Sequence, residues 1–198
     1  MEPAVAVAPF KLVVIGASAG GLNALIALLT HLPAGFPLPI VVVQHLDPHH
    51  TSSLAPILDR RSTIRVKPAA PGEAPHPGIV YVAPPDRHLM IDSGGRFELD
   101  ETPPVHFVRP CVDRLFSSAA EHLGRVIGVV LSGSGSDGAQ GAQAISRRDG
   151  IVVVEDAATA AFGGMPQATI DTGVADYVIP LAEIPSLLVR LAAGVASE

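Results

Sequence analysis

Three residues of the types needed for nucleophilic acyl transfer, Ser18, His45 and Asp137, each stand at or shortly after the end of an apolar run. In that chemistry a serine hydroxyl attacks a carbonyl carbon. An imidazole takes the hydroxyl proton, and a carboxylate holds the imidazolium that results. Ser18 lies in Leu12-Val-Val-Ile-Gly-Ala-Ser-Ala-Gly-Gly21, an apolar, β-branched run that breaks at glycine and enters an Ala/Leu-rich helix at Leu22. Its hydroxyl is therefore expected where a buried strand ends and a helix begins, where free N–H groups and the helix dipole stabilise an anion. The plainer alternative is a turn serine that only caps the helix. The spacing Gly16-x-Ser18-x-Gly20 fits a nucleophile elbow, but the chain order is Ser, His, Asp. α/β-Hydrolases run Ser, Asp/Glu, His, and Gly20-Gly21 makes a softer turn, so that fold is excluded.

The elements that must position these residues follow from periodicity. Strands are expected at 11–16, 40–44, 63–67, 79–83, 126–131, 151–154 and 176–179, and helices at 20–31, about 52–60, 110–123, 139–148, 165–172 and about 183–193. Leu22, Leu25, Ile26 and Leu29 are expected on the inward face of the first helix, and Val112, Leu115, Phe116 and Ala119 on that of the third. Thr51 or Ser52 is the expected cap of the second helix. Residues 88–92 and 96–100 flank Ser93-Gly94-Gly95, a hairpin signal inside a proline-rich, antiparallel insertion from Pro68 to Pro110. Alternating strand and helix imply an α/β fold, a doubly wound, mainly parallel sheet in a three-layer sandwich with an inserted antiparallel β-hairpin. Residues 11–193 read as one domain after an N-terminal extension of residues 1–10. In such sheets ligands bind outside the carboxyl ends of the strands. Ser18, Gln44-His45 and the loop Ser132 to Asp137 all fall there. The glycines of that loop let backbone N–H groups face a cavity, whereas the plainer reading has Asp137 only capping the helix after it.

Composition narrows the class. The chain has 198 residues, 48% of them hydrophobic and 16% charged, enough apolar residues for a core and too many for disorder. A net charge of −6 without a basic cluster argues against nucleic acid as partner. There is no apolar run of spanning length and no basic n-region, so neither membrane insertion nor a signal peptide is expected. Cys111 is the only cysteine, which fits the cytoplasm. His45, Asp47, His49 and His50 match no zinc spacing, so no metal is expected. His31, His76, His88, His106 and His122 read as surface or loop residues. Ser18 occupies the place of the second glycine of G-x-G-x-x-G, which argues against a dinucleotide site even with Asp47 near a strand end.

Gly16-Ala-Ser-Ala-Gly-Gly21, Gln44-His45, Tyr81-Val-Ala-Pro84, Arg109-Pro-x-Val-Asp113, Leu131-Ser-Gly-x-Gly-x-Asp-Gly138 and Gly164-Met-Pro166 occur in one order over nearly the whole chain. Together they resemble the catalytic domain of the CheB chemotaxis receptor methylesterase family. The resemblance implies hydrolysis of γ-glutamyl methyl esters on chemoreceptor cytoplasmic helices with release of methanol, and in many members deamidation of receptor glutamines. It places nucleophile, base and acid on Ser18, His45 and Asp137, and implies no cofactor. Backbone N–H groups near Ala19, Gly20 and Ser134 are the expected oxyanion donors, with Met165 in the substrate region. Two positions depart from the family pattern: Ala19 stands where a threonine is common, and Ser134 where a methionine is common. The classical member also carries an N-terminal receiver domain, for which residues 1–10 leave no room. The expectation is a fragment, or a single-domain form that is constitutively active or controlled by a receptor methyltransferase or a separate receiver protein. The segment Glu155 to Phe162 resembles forms fused to or paired with such a methyltransferase. The alternatives are a serine hydrolase of the same fold acting on another ester or amide, and an inactive binding module.

Overall fold

The computed structural model describes residues 10–45, 53–105 and 107–194. The first strand, β1 (Val13–Ala17), is buried along its whole length and carries a side-chain alternation that divides the core. Val13, Ile15 and Ala17 face one helical layer, whereas Leu12 and Val14 face the other. This is the period-2 geometry of a strand covered on both sides.

Six more strands join it: β2 (Ile40–Gln44), β3 (Arg65–Pro68), β4 (Ile79–Val82), β7 (Ile127–Val130), β8 (Ile151–Glu155) and β9 (Tyr177–Ile179). The order is β3-β4-β2-β1-β7-β8-β9, and every pairing is parallel. A separate antiparallel hairpin pairs β5 (His88–Ile91) with β6 (Phe97–Asp100). The expected α/β sandwich with an inserted hairpin is therefore present. One part of the expectation changes. Residues 79–82 do not belong to an antiparallel insertion, because Ile79 to Val82 are the rung between β2 and β3 in the parallel sheet.

The helices α1 (Gly21–Thr30), α2 (Leu54–Arg61) and α6 (Ile184–Ala192) cover one face. The other face carries α3 (Val112–Leu123), α4 (Ala139–Ser146), α5 (Gly164–Ile170) and the hairpin. In α3 the inward set is as expected, with Val112, Leu115, Phe116 and Ala119 fully buried. In α1 the buried stripe is Gly21, Ala24, Leu25, Leu28 and Leu29. Leu22 instead faces outward and Ile26 is only half-buried, since the buried stripe falls one position earlier along the helix than its hydrophobicity implied. The second helix begins at Leu54, after Ser53; Thr51 and Ser52 lie outside the described residues. Truncating a fully buried leucine such as Leu25 or Leu115 to alanine costs about 2–5 kcal/mol in cores of this kind.

The chain steps from β1 to β2 in one direction across the sheet and later returns to lay β7 on the opposite side of β1. A crevice opens at the carboxyl ends of strands where the winding reverses in this way. Ser18, His45 and Ser132 follow β1, β2 and β7 at that point.

Candidate active site

Ser18 and His45 are brought together by strand register. Ala17 pairs with Gln44, and each functional residue is the next along. The His45 N–H donates to the Ala17 carbonyl at 3.0 Å, and the Ser18 N–H donates to the Ser132 carbonyl at 3.0 Å. The buried Gln44 side chain then locks the pair. Its Nε2 donates to the carbonyls of Ser18 at 2.7 Å and of His45 at 3.0 Å. Gly21 must lack a side chain here, since a Cβ would lie 2.1 Å from Gln44 Oε1.

The plainer reading of Ser18 as a cap does not hold. α1 has Gly20 at its N-cap, in the left-handed region at φ 76°, and no side chain caps that helix. Among the described residues Ser18 Oγ makes no hydrogen bond. Ser18 itself has no positive φ, so it lacks the strained elbow of the α/β-hydrolases. This agrees with excluding that fold.

His45 Nε2 and Asp137 Oδ2 are 2.8 Å apart. Asp137 reaches the histidine from the far end of the Ser132–Asp137 loop, and its carboxylate is held by more than the imidazole. Oδ2 accepts from the Val112 N–H at 2.7 Å, and Oδ1 accepts from the Asp113 N–H at 2.9 Å and from the Cys111 thiol at 3.2 Å. Val112 and Asp113 open α3, so Asp137 caps that helix and not the helix that follows it in sequence. Asp113 returns the arrangement. Its Oδ1 accepts from Gly138 N–H at 2.9 Å and Gly141 N–H at 2.7 Å, at the start of α4. Neither helix has a side-chain cap of its own. Each acid therefore satisfies the orphan N–H groups of the other's helix and meets the positive end of its dipole. Gly141 permits the close approach, because a Cβ there would fall 2.5 Å from Phe116 Cβ.

Burial acts to raise the Asp137 pKa, but the His45 contact and the two N–H donors outweigh it and hold the carboxyl below its usual range. Asp113, with fewer compensating donors, is pushed up to about 6 by burial. Burial likewise pushes the Cys111 thiol up to about 12, which makes it a donor to Asp137 and not a nucleophile. Cys111, Asp113 and Asp137 have ligand atoms within 4.8 Å of one another, a spacing that would suit a cation. N–H and S–H donors already point at these carboxylates, so the cluster is organised as a hydrogen-bonded acid nest. Asp47, His49 and His50, set aside as metal ligands from the sequence, lie outside the described residues, as does His106.

The expected oxyanion donors are distinguished by what their N–H groups do not do. Among the described residues, the N–H groups of Ala19, Gly20 and Ser134 donate no hydrogen bond, whereas those of Ser18, Gly21, Ser132, Gly133 and Met165 are all engaged. Ser134 is exposed and Ala19 half-buried. Met165 is fully buried and lies behind Gly133: a Cβ on that glycine would stand 2.2 Å from Met165 Sδ and 2.9 Å from Ser18 Cβ. Met165 thus sets the position of the loop from beneath.

Two contributors had no role assigned from the sequence, although Ser132 stands among the polar residues placed at the end of the third buried strand. Ser132 Oγ donates to the Ala19 carbonyl at 2.8 Å and accepts the Phe162 N–H at 2.9 Å, joining three loops around Ser18. Buried Glu155, its pKa raised by that burial, accepts the Ser132 N–H at 2.8 Å. A small residue followed by glycine after a buried strand was the only available sign of the first, and the second reads as an ordinary strand end. His88 departs from its expected surface place. It is fully buried on β5, Nε2 lies 3.2 Å from the Pro103 carbonyl, and desolvation lowers its pKa.

The sequence model of the family described as CheB methylesterase matches residues 13–188. A Thermotoga maritima protein named protein-glutamate methylesterase/protein-glutamine glutaminase is 44% identical over 185 residues, 91% of this chain and 54% of that protein. The chain therefore spans about half the length of that relative. A Leptospira interrogans protein with the same name, qualified there as putative, is 40% identical over 183 residues, 92% of this chain and 95% of its own length. The crystal structure of the Thermotoga maritima CheB methylesterase catalytic domain superposes with a TM-score of 0.88 at 44% identity, covering 93% of this chain and all of that one. By sequence and by fold, this chain belongs to the CheB methylesterase family.

Proposed function

We propose that the domain of residues 11–193 is a protein-glutamate methylesterase, and a protein-glutamine deamidase by the same route, acting on methylated chemoreceptor cytoplasmic domains in the cytoplasm. The observation that carries this reading is the 2.8 Å contact between His45 Nε2 and Asp137 Oδ2, with His45 on the strand neighbouring that of Ser18, whose hydroxyl makes no hydrogen bond among the described residues. The names of the relatives supply the substrate class. Among the described residues no helix is long and apolar enough to cross a membrane.

With Nε2 on Asp137, His45 Nδ1 is the ring nitrogen left to take the Ser18 proton. Ser18 Oγ attacks the γ-carbonyl carbon of the ester, and the oxyanion forms beside the unused N–H groups of Ala19, Gly20 and Ser134. His45 returns the proton to the methoxy oxygen, methanol departs, and a glutamyl ester remains on Ser18. Water, deprotonated by His45, hydrolyses that ester and restores the serine. For a glutamine substrate the leaving group is ammonia. Asp137 stays ionised throughout, as its depressed pKa favours. Ala19 supplies its N–H without the extra hydroxyl of a threonine, and Ser134 acts through its N–H, which its side chain does not alter.

Methanol release from a methylated receptor cytoplasmic domain tests the reading. Ser18→Ala is expected to reduce it roughly 10⁶-fold while circular dichroism stays unchanged. Wild type that takes up a serine-directed phosphonate on Ser18 yet releases no methanol from the receptor would point to another ester or amide. A chain that takes up no phosphonate would be a binding module.

A further inference from the structure

Leu22, Phe107, Phe162, Val178 and Val189 are the exposed large hydrophobic side chains among the described residues. Two of them border the turn that carries Ser18. Leu22 sits on the first turn of α1, 37% exposed, where its hydrophobicity predicted an inward place. Phe162 is 49% exposed, although its backbone is fixed at both polar groups. Its N–H donates to Ser132 Oγ at 2.9 Å and its carbonyl accepts the Gly133 N–H at 2.9 Å. Its ring abuts the Ser18 turn, since a Cβ on Gly20 would lie 3.2 Å from Phe162 Cδ2. The approach to it, Ala157-Ala-Thr-Ala-Ala161, carries no charge.

An aromatic ring held by its own backbone and left half in water forfeits little freedom when a partner covers it, so its burial favours binding. The ester-bearing glutamyl side chain ends at Ser18. What reaches Phe162 must be the polypeptide on which that side chain is carried. We propose that Phe162, beside the nucleophile, is a specificity-determining contact whose exposed ring is covered by an apolar side chain of the polypeptide that carries the methyl ester. This rests on the methylesterase reading above. The chemistry at Ser18 does not need the Phe162 side chain, so this contact selects a polypeptide ester over a small one.

The test compares wild type, Phe162→Ala and Phe162→Leu on a methylated receptor cytoplasmic domain and on 4-nitrophenyl acetate. Phe162→Ala is expected to raise KM for the receptor about tenfold, in line with the loss of one partly buried aromatic contact. Its loss on the small ester is expected to be at least fivefold less, and Phe162→Leu to recover most of the difference. Equal losses on both substrates would overturn the inference, because they would mean that the ring acts by supporting the Ser132–Gly133 loop. No loss on either would also overturn it while leaving the methylesterase reading intact. Wild type active on the small ester but not on the receptor would overturn that reading and this inference with it.

Discussion

The two ends of the proposed relay are built in opposite ways. At the acid end nearly every polar atom is spoken for: the Asp137 carboxylate meets His45, Val112, Asp113 and Cys111, and Asp113 meets Gly138 and Gly141. At the nucleophile end Ser18 Oγ and the N–H groups of Ala19, Gly20 and Ser134 have no partner among the described residues. The acid has one task throughout the reaction, which is to stay ionised and fixed. The nucleophile and the oxyanion donors must instead meet groups that arrive only with substrate. Saturation at one end and vacancy at the other is how a site is pre-organised without being blocked.

The sharpest way to break the contrast is at Asp137. Asp137→Asn keeps the size but presents an amide where three donors and an imidazole expect an anion. Methanol release is expected to fall about 10³–10⁴-fold, with a lower urea midpoint as α3 loses its cap. A variant that loses activity and no stability would show that the carboxylate is not the cap it resembles.

The next lever moves the open end. Gly133→Ala sets a methyl group between Met165 Sδ and Ser18 Cβ, at 2.2 and 2.9 Å. Displacing the nucleophile in this way is expected to lower kcat about 100-fold, and Met165→Ala in the same chain to restore part of it by giving the methyl room. Failure of the second substitution to rescue would mean that strain on Ser18, not on Met165, sets the loss.

The smallest effect separates the two acids. Asp113 has its pKa raised from 3.8 to about 6, so the folded state binds its proton more tightly than the unfolded chain. The stability it contributes is fully present below 3.8 and is lost as pH rises through about 6. Asp137 has the opposite sign, and what it contributes is present above the ordinary carboxylate value and lost as pH falls through its depressed one. Asp113→Asn retains Oδ1 for Gly138 and Gly141 and removes the charge. Urea midpoints measured between pH 4 and 7 should decline for wild type relative to this variant. Parallel curves would remove Asp113 from the pair.

Much of this is legible in the amino-acid sequence. The apolar runs of β1, β2 and β7 mark buried strands, and position alone selected Ser18, His45 and Asp137 as residues at their ends. The partition of β4 was not legible, because Ile79 to Val82 is a short apolar run whose place in the sheet depends on pairing with β2, 40 residues earlier in sequence, as well as with β3. Leu22 misled for a related reason: hydrophobicity gives the phase of a helix only when every apolar residue is buried, and this one borders the site. The reciprocal capping left almost no trace. Asp137 looks like the cap of the helix it precedes, and only the packing of α3 on α4 reveals that the two acids exchange helices.

That exchange also makes the acid depend on one helix–helix contact. Asp137 gains its orienting donors only when α3 is seated, and Asp113 finds its own only when α4 is beside it. A chain still completing this layer has a serine and a histidine on neighbouring strands but no fixed acid to align them. In the proposed mechanism the alignment of the acid therefore depends on α3 and α4 lying against each other, and a chain without that contact has no fixed carboxylate for His45.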